Sequence, residues 1–176
     1  MRYDCTEDVK KHKANVEYWM HDFATQIKDR AKIHDDSKLK NPTEKAMFDL
    51  WTPELKEREF GSEAYKIALD GMGKGIELHY KANRHHPEHY ANGVNDMTII
   101  DVIEMLSDWM AAAQAKYTHV DLAHASERFG LSEQLVRILA NTLREEDFWC
   151  TVNGVPVVDL CPPEHREGHI EGVTGK

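Results

Sequence analysis

At 176 residues, with 41% apolar and 30% charged residues, the chain is long enough to bury one sizeable core and has the composition of a soluble globular protein. Its net charge of −9 argues against a nucleic-acid backbone as the main partner, because such a surface must be basic; it leaves room for a small phosphorylated substrate if divalent ions invert the local charge. No apolar run approaches the roughly 20 residues of a membrane span, Met1–Cys5 opens no signal-peptide core, and Cys5, Cys150 and Cys161 lack metal-type spacing, so a reducing cytoplasm and no membrane partner are expected.

Asp4 followed by Glu7 reads as a helix start, and no Gly or Pro occurs from there to about Ile33. Val9, His12, Val16, Trp19 or Met20, Phe23, Ile27 and Ala31 recur at helical spacing, which places His12 on the apolar stripe and His21 off it. Asn41-Pro42 reads as a loop leading into a helix. Pro53 interrupts residues 43–60, so two short helices are expected there. Ser62 starts another helix that Gly71, Gly73 and Gly75 weaken. No strand pattern precedes these glycines, so they suggest a pliant connection or a close helix crossing rather than a dinucleotide site. The helix resumes at Ile76, Leu78, His79 and Tyr80 and should end at His86, ahead of Pro87.

Asn92-Gly93 marks a loop, and Asp96 or Thr98 caps a helix over about 98–117. Ile99, Ile103, Leu106, Met110, Ala113 and Tyr117 form its stripe, and further apolar residues nearly encircle it, which predicts a central helix. A last helix follows Leu131-Ser132-Glu133, closed by Phe148 and Trp149. Glycines and prolines from Thr151 onward predict irregular chain. The expected organisation is an all-α fold with one helical domain over 1–150 and an irregular C-terminal tail over 151–176.

The chemistry concentrates in His79-Tyr-Lys-Ala-Asn-Arg-His-His-Pro-Glu-His89, which holds four of the eleven histidines. Such a stretch can be only a polar loop, but acid–histidine features answer it from both sides: His34-Asp35-Asp36-Ser37-Lys38 upstream, and Asp101, Glu104 and Asp108 downstream. Neutral imidazole is the commonest protein metal ligand, and carboxylates complete hard or borderline sites. Spacings of three and four put the three acids on one helix face, opposite the main stripe. A solvated acidic face would explain them. Apolar neighbours and the poor fit of Asp to a helix interior make Asp108 a ligand candidate instead. Adjacent His85 and His86 would point about 100° apart on a regular helix, so one ion could not take both. Two ions, or a helix ending at Pro87, would relieve this, and Glu88 or His89 could support the ligands from behind.

The ordered set His34-Asp35 with Ser37-Lys38, isolated His79, His85-His86-Pro87-Glu88 before Asn92-Gly93, and Asp108-Trp109 resembles the HD-domain superfamily of metal-dependent phosphohydrolases. It is similar in particular to an HD-like group of small bacterial and phage proteins, over about residues 9–117. The resemblance implies an HD-like helical bundle and metal ligation by His34, Asp35, His79, His85, His86 and Asp108 around one or two divalent ions (Mn, Co, Zn or Fe). The superfamily also has an early histidine, for which His12 is the candidate. On one continuous helix His12 lies ~33 Å from His34, and the two meet only if the chain reverses near Phe23–Gln26. The implied reaction is hydrolysis of a nucleotide or similar small phosphate ester by water that the metal activates. Asp35 and Lys38 are its expected catalytic residues, and Lys38, Arg84 and His89 its expected substrate contacts. A di-iron oxygenase of the same superfamily and a non-catalytic helical module with a structural metal are the alternatives. A homo-oligomer is compatible with all three.

Overall fold

The computed structural model describes residues 3–59, 62–115, 118–145, 150–152 and 155–156. The fold is all-α, as helical periodicity throughout the chain predicts. Helix α1 (Thr6–Ile33) starts where Asp4 Oδ1 accepts from the Thr6 amide (3.0 Å) and hydroxyl (2.6 Å), with Glu7 and Asp8 in the first turn against the helix dipole. It then runs 28 residues unbroken, so no reversal occurs near Phe23–Gln26. None of its residues is buried, and Trp19 is 58% and Phe23 47% exposed. The apolar stripe exists, but among the described residues it is left largely uncovered, with only Ile27 half-buried among its large apolar residues.

Helices α2 (Ser37–Lys40) and α3 (Pro42–Lys56) follow. Asn41 caps α3 by accepting from the amides of Thr43 and Glu44 at 3.1 and 3.2 Å, and Pro42 occupies the first turn, where its missing N–H costs nothing. The two short helices expected around Pro53 are one helix. Pro53 lies in the last turn of α3, where losing a single backbone bond does not break the element.

Ser62 caps α4 (Glu63–Gly71), accepting from the Tyr65 amide at 3.1 Å, and α5 (Gly73–Ala82) follows. Both pack on α3, which also holds α2. The close crossing is real: a Cβ on Gly71 would sit 2.5 Å from the Trp51 ring, and one on Gly75 would sit 2.7 Å from Met47 Cβ. Helix α5 ends at Ala82, earlier than Pro87 alone suggests. Asn83 takes an extended conformation, and both its amide N–H (3.0 Å) and its side chain (2.8 Å) cap the carbonyl of His79. His85 and His86 therefore sit in a turn, followed by 3-10 segments at Pro87–His89 and Gly93–Asp96.

Helix α6 (Ile99–Ala115) begins with a reciprocal cap: the Asp101 amide donates to Thr98 Oγ1 (3.3 Å), and the Thr98 amide donates to Asp101 Oδ2 (2.9 Å). Its buried apolar residues are Ile100, Val102, Met105, Leu106 and Ala113, while Ile99 is 60% exposed. The buried face is therefore turned from the predicted stripe, and it carries Asp101 inward.

The chain divides within α6 into two compact units, residues 1–91 with 96–104, and 92–95 with 105–176. In the second, α7 (Leu122–Phe129) and α8 (Glu133–Glu145) pack with a small sheet of β1 (Val120–Asp121), β2 (Cys150–Val152) and β3 (Val155–Pro156). Strand β1 is parallel to β2 (Val120 beside Cys150), and β2 is antiparallel to β3 (Thr151 beside Pro156). The start of the predicted irregular tail thus pairs as strand. Tyr117, Phe148, Trp149 and residues 157–176 lie outside the described residues. Among the described residues, no helix is long and apolar enough to cross a membrane.

Candidate metal centre

The turn from α1 to α2 sets the first ligands. Asp35 takes φ +58°, the only positive φ at a non-glycine among the described residues. Asp tolerates this left-handed conformation better than most residues, at a cost of order 1–3 kcal/mol. The turn is tied by the Asp36 amide to the Ile33 carbonyl (3.1 Å) and the Lys38 amide to the Asp35 carbonyl (2.9 Å). Lys38 Nζ then holds Asp35 Oδ2 at 2.6 Å, leaving Oδ1 to face the histidines.

His79 comes from the last turn of α5, and His85 and His86 from the turn beyond it. His79 Nε2 lies 3.4 Å and His85 Nε2 3.7 Å from Asp35 Oδ1, and His86 Nε2 is 2.8 Å from His79 Nε2. One ligand atom from each of Asp35, His79, His85 and His86 falls within 4.8 Å of the others, a grouping that can hold a metal ion. A second such group, His34, His85 and Glu104, shares His85. Its contacts to Glu104 Oε1 are His34 Nδ1 at 3.0 Å and His85 Nδ1 at 3.2 Å.

The fit to a metal rests on orphaned atoms. Asp35 Oδ1 and both ring nitrogens of His85 are buried without an aligned hydrogen-bond partner. Buried polar groups in that condition are costly unless something else satisfies them; a cation beside Asp35 satisfies Asp35 Oδ1 and His85 Nε2 together, while His85 Nδ1, on the other side of the ring, faces Glu104 Oε1. The donor set, three imidazoles and one carboxylate, suits a borderline divalent transition metal.

A carboxylate–arginine layer lies behind the ligands. Asp101 is fully buried and accepts from Arg30 Nη1 (3.0 Å), Arg84 Nε and Nη2 (3.1 and 3.0 Å), the Tyr90 hydroxyl (2.8 Å) and the Thr98 hydroxyl (2.7 Å). Arg30 also pairs with Glu104 Oε2, which ties Asp101 to the Glu104 carboxylate. Burial pushes the Asp101 carboxyl up, but the Arg84, Thr98 and Tyr90 hydrogen bonds outweigh it and hold it well below its ordinary range. The same contest, won by His34, His85 and Arg30, holds Glu104 well below its range. Burial and the bond to Asp101 push the Tyr90 hydroxyl up to about 12. Burial also favours protonation of Asp35, but Lys38 and the neighbouring imidazoles reverse it, so the carboxyl sits below its ordinary value.

His34, Asp35, His79, His85 and His86 are thus brought together. Lys38 adjoins them through Asp35 and lies 4.9 Å over the Phe48 ring. Arg84 faces Asp101, and His89 Nδ1 contacts the Tyr80 carbonyl at 3.2 Å. Asp108 belongs to neither ligand group; Glu104, one turn earlier on α6, is the acid that does. His12 is a correction: it is exposed on the unbroken α1, ~33 Å along the helix from His34.

Sequence reasoning assigned no site role to Glu44, Ser37, Asn83 or Arg30, although Ser37 and Asn83 lie within the motifs it singled out. Three of them form a network behind His79: Glu44 Oε1 accepts from Ser37 Oγ (2.8 Å) and contacts His79 Nδ1 (2.9 Å), and Asn83 donates to Ser37 Oγ (2.7 Å). Only Glu44's place in the first turn of a capped helix, soon after the His-Asp motif, could have drawn attention to it.

A family model, described as a family of unknown function (DUF5662), matches residues 1–145. The chain belongs to this family. The matched span contains every residue of the cluster described above, from His34 to Glu104. No curated protein and no solved structure matches the chain.

Proposed function

We propose that this member of DUF5662 is an HD-type metal-dependent phosphohydrolase acting on a nucleotide or similar small phosphate ester. The observation that carries the reading is the convergence of Asp35, His79, His85 and His86 on one position, with a lysine beside it and with Asp35 Oδ1 and His85 Nε2 buried without a hydrogen-bond partner. A divalent ion held there supplies Lewis-acid polarisation of a phosphoryl oxygen and lowers the pKa of water toward neutrality.

The chain's own residues supply the rest. His79, His85 and His86 present Nε2 atoms, and Asp35 presents Oδ1. Asp35 also offers the carboxylate nearest that position as an acceptor for a water proton. Lys38, through its contact with Asp35, stands where it can neutralise negative charge that develops on a phosphoryl group. Its charge also supports an acidic chain in binding an anion, which the net charge of −9 otherwise opposes.

The test is phosphate release from a panel of nucleotides and phosphate esters with Mn, Co, Zn and Fe in turn, comparing the wild type with Lys38→Ala. If Lys38 acts mainly in the transition state, its loss removes ~2–4 kcal/mol, a roughly thirty- to thousand-fold fall in rate with metal still bound. An unchanged rate would return Lys38 to the ordinary role of a surface lysine. No phosphate release with any ion, together with substrate-dependent oxygen uptake on iron, would favour the di-iron oxygenase.

A further inference from the structure

We infer that Glu44 is the positioning residue of this centre: it fixes His79 with its proton on Nδ1 and so presents Nε2 to the metal. The inference rests on the metal reading above but concerns a residue outside both ligand groups. Glu44 is fully buried, and among the described residues its one ion pair is with His79 Nδ1, at 2.9 Å. Its second oxygen, Oε2, has no hydrogen-bond partner. A carboxylate so enclosed, with neither lysine nor arginine against it, is expensive to bury and calls for a countercharge.

The hydrogen-bond inventory decides which ring nitrogen of His79 carries the proton. Asn83 Nδ2 has two hydrogens, and the Ser37 hydroxyl (2.7 Å) and the His79 carbonyl (2.8 Å) accept them. Its 2.9 Å approach to His79 Nδ1 is therefore not a donation. The Ser37 hydroxyl, already accepting, donates to Glu44 Oε1 at 2.8 Å. An ionised carboxylate only accepts, so His79 Nδ1 must be the donor to Glu44.

Nε2 then carries a lone pair and faces Asp35 Oδ1 at 3.4 Å. Asp35 Oδ1 has no hydrogen-bond partner, which agrees with an Nε2 that does not donate. His86 Nε2, 2.8 Å from the same Nε2, can share a proton with that lone pair but leaves Asp35 Oδ1 unsatisfied, whereas a cation among the three satisfies all of them. A metal there would make the Nδ1–H more acidic and its bond to Glu44 stronger, and its charge, relayed through the imidazole, is the missing countercharge.

Two measurements on the full chain test this. In the metal-free protein, two-bond 15N–1H correlation spectra, assigned against a His79→Gln variant, should show His79 as the Nδ1–H tautomer; an Nε2–H tautomer overturns the inference. In a Co(II) titration followed by visible absorption, Glu44→Gln should weaken apparent affinity about 10- to 100-fold, because a neutral amide accepts more weakly and can turn to donate instead. A variant that melts earlier yet binds Co(II) with wild-type affinity would make Glu44 merely structural and also overturn it. If Glu44→Gln does not fold, the wild-type tautomer alone decides. If the wild type binds no Co(II), the metal reading falls, and the tautomer still decides whether Glu44 orients His79.

Discussion

Asp35 joins a strained backbone to a buried carboxylate oxygen that has no hydrogen-bond partner, so its two burdens can be separated. Asp35→Ala and Asp35→Gly both remove the carboxylate and the pair with Lys38. Both should abolish metal retention, measured by elemental analysis after desalting. They differ in backbone cost: a β-carbon at φ +58° costs about 1–2 kcal/mol, partly offset by the roughly 0.5–1 kcal/mol of extra chain entropy that glycine loses. Glycine should therefore be the more stable variant in urea by roughly 0.5–1 kcal/mol. An alanine variant of equal stability would mean that the turn relaxes in solution. The pair Asp101–Tyr90 makes a second prediction, on pH. The folded carboxyl of Asp101 is depressed, so its contribution is present above its ordinary value of 3.8 and is lost as pH falls through the folded value. The hydroxyl of Tyr90 is raised, so its contribution is complete below 10.0 and is lost as pH rises toward about 12. Stability followed by circular dichroism should fall on both flanks, and the alkaline loss should coincide with a late tyrosinate absorbance step that Tyr90→Phe removes. The His-Asp motif and the paired histidines were legible because side-chain chemistry is written in the residue type. Glu44 was not, because its burial and its partner 35 residues away depend on α3 packing against α5.

Among the elements, α3 and α5 set the geometry and α1 stands apart. The contact of α5 with α3 depends on Gly75, whose added Cβ would lie 2.7 Å from Met47 Cβ. Gly75→Ala should cost about 1–3 kcal/mol by overpacking, despite alanine's better helix propensity. It should also weaken metal binding, since α5 carries His79. On α1, Trp19 is 58% exposed, so Trp19→Ala should cost well under the 3–5 kcal/mol of a buried Trp truncation. Urea denaturation of the two variants at low protein concentration checks both, and a Trp19 loss as large as a core loss would mean that its face is covered. The element types followed from periodicity, caps and breakers. The ends were harder to read. Pro87 marks a limit for α5, but the Asn83 cap stops it at Ala82, and this early stop frees His85 and His86 to reach one site.

For the whole molecule, an ion held at the centre would make stability depend on metal. At an ion concentration of 100 times Kd, binding to the folded state alone adds about 2.7 kcal/mol. For a chain of this length that is a rise in Tm of about 5–11 °C with zinc or cobalt, reversed by EDTA. No shift with any of the four candidate metals would argue against the centre.

Residue order alone determined that the chain is helical, where most helices begin, and that a His-Asp motif and a histidine-rich stretch hold the residues of the cluster, because propensity, capping and imidazole chemistry are local. Only the tertiary structure decided the membership of the cluster. It left His12 on an exposed helix, turned Asp101 inward, placed Glu104 rather than Asp108 with the histidines, and set a buried Glu44 behind His79. Those outcomes depend on where one helix stops and which face it turns toward another, and packing over the whole unit fixes both.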